Sequence, residues 1–174
     1  MVSTYASDVH FSRNFVVHDA TGLLYNVSVV VKLDAELDET SVDNVAECED
    51  RIVNQSRAVL LPPGSETHVQ QEVNEILRPF GLQTRLLVVE KANSLAVYFS
   101  CLTLLALMSL RDQWRSGQLG NIVQSLFTLL SGATREVHIK RLSWAQSDYE
   151  RSEQFFSSAQ GELAWFDSVG LHCT

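Results

Sequence analysis

The chain has 174 residues, enough for one domain with a normal core, and its 45% apolar and 20% charged residues have the balance of a folded globular protein. Its formal charge of −8 and pI of about 5.0 disfavour nucleic acid as a partner, because affinity for phosphate backbones comes largely from clustered Lys and Arg, which here are scattered. Cys48, Cys101 and Cys173 are far apart and lack CxxC spacing, which argues against a disulfide framework and a zinc site and points to a reducing, cytoplasmic compartment.

Residues 1–13 read as a loose arm and residues 14–174 as a single domain. The opening MVSTYASDVHFSRNF has no basic segment followed by an apolar one, so no signal peptide is expected and the sequons at Asn26 and Asn54 are chance matches. NFVVHDATGLLYNVSVVVKLD predicts a hairpin: a short strand Phe15–Val17, a turn at DATG and a longer strand Leu23–Leu33 with Val27, Val29, Val31 and Leu33 on one face. Acidic DAELDET follows as a loop. Thr40 or Ser41 then caps a helix over 42–57, with Val42, Val45, Ile52 and Val53 as its apolar stripe. Pro62, Pro63 and Gly64 break the chain, and Ser65 or Thr67 caps a helix carrying Val69, Val73, Ile76 and Leu77 at helical spacing.

LQTRLLVVEKA and NSLAVYFS predict two strands joined by a tight turn near Ala92–Ser94. A long helix over 102–131 comes next, bent or split at Ser116–Gly117 and stopped at Gly132. EVHIKRLSW is the last strand, with Val137 and Ile139 inward, and a final helix opens on the capping box Ser147 to Glu150.

The uncharged run Ala92–Leu110 is long enough to raise the question of a membrane span. Its first third alternates, with Leu95, Val97 and Phe99 on one side and Ala96, Tyr98 and Ser100 on the other, which is strand periodicity. Beyond Asp112 the apolar pattern continues as Trp114, Leu119, Ile122, Val123, Leu126, Phe127 and Leu130, which is helix spacing. A buried strand feeding a core helix explains both, so no span is expected.

Chemistry-bearing motifs are absent. No GxSxG, GxxxxGKS or GxGxxG occurs, and His10, His18, His68, His138 and His172 make no ligand spacing. The acidic stretch DAELDETSVDNVAECED lacks the calcium-loop pattern and reads as a solvated face. SLAVYFSC lacks the basic residue and glycines of an RNA-recognition strand. No catalytic residue, cofactor or metal is therefore expected.

The predicted centre is β-α-β-β-α-β, the ferredoxin-like split unit: an α+β, ferredoxin-like α/β sandwich with a four-stranded antiparallel sheet, an N-terminal hairpin and extra helices. With this order and the step WRSGQL, Trp114 to Leu119, residues 82–156 resemble the N-terminal domain of the TRADD family of death-domain adaptors. The matching features are the strand pair LQTRLLVVEKANSLAVYFSC, the helix holding WRSGQL, the strand REVHIKRLSW and the helix with DYERSEQFF. Residues 26–33 would supply the family's first strand, whereas the hairpin, the acidic loop and the insert NQSRAVLLPPGSE depart from the pattern.

The resemblance implies a non-enzymatic adaptor of TRAF-type, death-receptor (apoptosis) signalling, docking a TRAF-domain protein with the open face of its sheet. No death domain fits in 174 residues, so the chain would be a fragment or a lone interaction module. The outward strand positions offer a partner-binding face: Ser28, Val30 and Lys32, then Ala96 and Tyr98, then His138 and Lys140. The hairpin or an extra helix would be the alternative cover for that face. Two other readings are self-association of a larger signalling protein through the same exposed strand edge or face, and a small enzyme, which would need converging carboxylates or histidines.

Overall fold

The computed structural model describes the backbone of residues 13–18, 22–60 and 67–169, and the side chains of residues 28–59 and 67–158. The arm over 1–12, the DATG turn up to residue 21 and the Pro62–Gly64 break lie outside them. The fold is α+β: a four-stranded, open antiparallel sheet with five α-helices among the described residues. A two-stranded ladder, β1 (Arg13–His18) with β2 (Gly22–Val27), precedes it.

The sheet is built from β3 (Val29–Leu37), β4 (Thr84–Lys91), β5 (Leu95–Cys101) and β6 (Ile139–Ser143), in the order β4-β5-β3-β6. All three pairings are antiparallel. Two expectations change here. The long strand Leu23–Leu33 is two strands divided at Ser28, and DAEL is not a loop but the second half of β3. The physical reason is periodicity: Asp34, Ala35, Glu36 and Leu37 continue the alternation, with Ala35 and Leu37 buried and the two carboxylates outward.

Helix α1 (Val45–Leu60) begins later than expected, because Asn44 rather than Thr40 or Ser41 accepts the first orphan N–H, from Glu47 at 3.2 Å. Thr40 and Ser41 instead fold back on Asp38. Thr67 caps α2 (His68–Leu77), and a 3-10 turn, Arg78–Phe80, follows it. The long helix is two helices, α3 (Leu104–Arg115), capped by Thr103, and α4 (Gln118–Ser131). They divide at Gly117, whose φ of 81° lies where a side chain is disfavoured. Gly132, at φ 61°, ends α4. Helix α5 (Gln146–Val169) starts ahead of Ser147, so that serine sits inside the first turn rather than at the cap.

One core joins the layers. Val31, Leu33, Leu86, Val89, Leu95, Val97 and Phe99 from the sheet pack with Ile52 of α1, Leu107 and Leu110 of α3, and Val123, Leu126 and Phe127 of α4. Phe99 meets Phe80 edge-on at 5.1 Å between ring centres. Helix α5 packs against β3 and α3. Its Tyr149 lies between Trp144 and the guanidinium of Arg111, which stands 3.6 Å over the ring.

Phe99→Ala is expected to cost about 3–5 kcal/mol, since it empties a fully buried site. Gly117→Ala should cost about 1–2 kcal/mol through the left-handed backbone alone. Leu105→Ala, at a position 76% exposed, should stay within about 0.5 kcal/mol. Urea midpoints check the ranking; a Leu105 variant as damaging as the Phe99 variant would contradict the packing described.

Candidate functional site

Strand alternation turns half of the sheet's side chains away from the core, and the registers say which ones meet. In one cross-strand row Arg85 of β4, Ser100 of β5 and Val30 of β3 lie side by side; in the next, Val88, Tyr98 and Lys32; in the third, Glu90, Ala96, Asp34 and, from β6, Ser143. Glu36 and Arg141 form a fourth, shorter row.

Tyr98 is the only half-exposed residue of β5; every other residue of that strand is buried. Its neighbours are unusual because β4 bulges between Leu86 and Val88. The extra residue leaves Leu87, 42% exposed, and the half-buried Val88 together opposite Tyr98, while Leu86 and Val89 stay in the core. An apolar centre of Leu87, Val88, Tyr98 and Val30 results. Lys32 flanks it, paired with Asp34 at 3.3 Å.

The expected face residues divide. Val30, Lys32 and Tyr98 are brought together. Ala96 belongs to the same face but is 1% exposed, so it forms floor rather than contact surface. Lys140 lies further along, where its ammonium and the Arg141 guanidinium grip Glu36 at 3.0 and 3.1 Å. A second bulge there, between Glu36 and Leu37, disturbs the expected outward alternation. His138 lies outside the paired strand. It precedes β6, donating its backbone N–H to Ser41 Oγ at 3.1 Å and accepting from the Asp38 N–H at 2.8 Å. Sequence reasoning missed Leu87, Val88, Arg85, Glu90 and Arg141. The apolar run Leu86–Val89 carries the signal, since four apolar residues in a row cannot all face the core of a regular strand.

Away from the sheet, an apolar depression of about 400 Å³ is lined by His68, Gln71, Glu72, Glu75, Ile76 and Leu129. Its ionisable groups are engaged at the rim, His68 with Glu72 at 3.1 Å and Glu75 with Arg78 at 3.3 Å. Burial pushes the Cys101 thiol up to about 12 and raises Cys48 as well, so neither supplies a thiolate at neutral pH. Among the described residues no three His, Cys, Asp or Glu side chains gather as a metal site, and no helix is long and apolar enough to cross a membrane. The arrangement is an apolar centre within a charged rim. No family model, curated protein or solved structure matches the chain.

The hydrogen bond from Lys140, reinforced by its charge and by Arg141, holds the Glu36 carboxyl below the ordinary glutamate range; the same contact raises Lys140. Stability from this cluster is therefore present above the unfolded-state carboxyl pKa and lost as pH falls through the lower folded-state value. An NMR titration should place the Glu36 midpoint below the ordinary value and move it upward in Lys140→Ala. A midpoint that ignores Lys140 would contradict the assignment.

Proposed function

We propose that this chain is a non-enzymatic protein-interaction module of a TRAF-type, death-receptor signalling adaptor, working in the cytoplasm and recruiting a protein partner through the outward face of its sheet. The observation that carries the reading is the row Val88–Tyr98–Lys32 with Leu87 beside it: an aromatic and three aliphatic side chains, counting Val30, ringed by Arg85, Glu90, Asp34 and Lys32. Recognition surfaces concentrate their energy in such centres, where an aromatic anchor is shielded by a polar rim.

Two further features support the adaptor class. The strand order β4-β5-β3-β6, with helices inserted after β3 and β5, agrees with a ferredoxin-like reading of the sandwich, the β1–β2 ladder and α5 being additions. The step Trp114 to Leu119, which carries the likeness to TRADD-type domains, falls at the break between α3 and α4. A TRAF-domain protein is accordingly the proposed partner.

Tyr98→Ala and Val30→Asp should each fold as the wild type does, judged by circular dichroism and urea midpoint, and weaken binding to a TRAF-domain protein roughly tenfold or more in a titration. Wild-type affinity in both variants would rule out this face.

A further inference from the structure

Strand β4 lies at the edge of the sheet, and the central six residues of TRLLVVEK are complementary about their midpoint: basic Arg85 answers acidic Glu90, Leu86 answers Val89, and Leu87 answers Val88, while Lys91 at the end is held by Glu49 and Asp50 of α1. Arg85 and Glu90 are both exposed, and among the described residues neither makes an ion pair. In a regular strand an odd separation would put these two charges on opposite faces. The bulge removes that obstacle. Arg85 pairs with Ser100 and Glu90 with Ala96, which share one face of β5, while Leu86 and Val89 share the other.

We propose that β4 is a self-pairing edge. Two copies of the chain join antiparallel about a two-fold axis between Leu87 and Val88. Each Arg85 then faces the other copy's Glu90, each Leu87 faces a Val88, and Leu86 and Val89 extend the buried layer across the junction. Both halves of the contact are identical, so the assembly closes at two copies. The product is one eight-stranded sheet, with its two Tyr98 centres on the same side. A bulge ordinarily blunts an edge against indiscriminate pairing; here it confines pairing to a short segment and makes the charges match in one register only. The inference shares Arg85, Leu87, Val88 and Glu90 with the proposed partner face but concerns the backbone edge and a second copy, so the Tyr98 and Val30 variants, which lie on β5 and β3, distinguish the two.

Sedimentation velocity on the full chain over a range of concentrations tests it. The wild type should show a reversible monomer–dimer equilibrium. Arg85→Glu and Glu90→Arg, each of which sets like charges against each other twice, should weaken it about tenfold or more, whereas the doubly exchanged variant should return to within a few-fold of wild type. Mixing the two single variants should restore a dimer containing one of each, because positions 85 and 90 are then both acidic on one edge and both basic on the other. A wild type that stays monomeric throughout, a dimer indifferent to both reversals, or single variants rescued neither by exchange nor by mixing would overturn the proposal.

Discussion

Strand β5 carries no charge because its surroundings leave no place to solvate one. It is hydrogen-bonded on one side to β4 and on the other to β3, and six of its seven residues are buried. A charge there would need an internal partner or would pay a heavy desolvation cost. Its inner side chains, Leu95, Val97, Phe99 and Cys101, meet the helices, and its end at Cys101 leads within a few residues into α3 through the Thr103 cap. The two halves of the chain, β3 with α1 and α2 on one side of β4 and α3 to α5 on the other, are joined through this strand.

The charged residues do different work, since exposed ion pairs add little net stability. They mark where elements end and which register they keep. Lys91 reaches from the end of β4 to the carbonyl of Ala46 at 3.2 Å and to Asp50 at 2.8 Å, tying the β4–β5 turn to the start of α1. Glu36, with Lys140 and Arg141, does the same for β3 and β6. Between these anchored ends Val30, Leu87, Val88 and Tyr98 on the outward face are neither fully buried nor charged, and Tyr98 is the largest of them. The combination of a rigid double-sided strand beneath and an amphipathic aromatic above is what a recognition surface needs, because little order has to be gained on binding.

Much of this was legible in the residues. The alternation of LAVYFSC and the helical spacing from Trp114 to Leu130 both identify elements that bury one face, and Ser116–Gly117 marks the break between α3 and α4 because only glycine sits comfortably at that φ. Tyr98, Val30 and Lys32 could be placed together because simple alternation holds through β3 and β5. It fails where bulges intervene, and bulges depend on the partner strand rather than on local sequence. That is why alternation alone does not point to Leu87, Val88, Arg85 and Glu90. Acidic DAEL differs from expectation for a related reason: its carboxylates suggest a loop, whereas Lys140 and Arg141, far along the chain, meet Glu36 and hold it in a strand.

The proposed adaptor function requires that another protein sit on one surface, the outward face centred on Tyr98. A photo-crosslinking amino acid substituted at position 98, compared with the same substitution at the 76%-exposed Leu105 on α3, probes that directly in cells. The account predicts a discrete adduct with a TRAF-domain protein from position 98 and none from position 105. An adduct formed from position 105 while position 98 stays unlinked would contradict it.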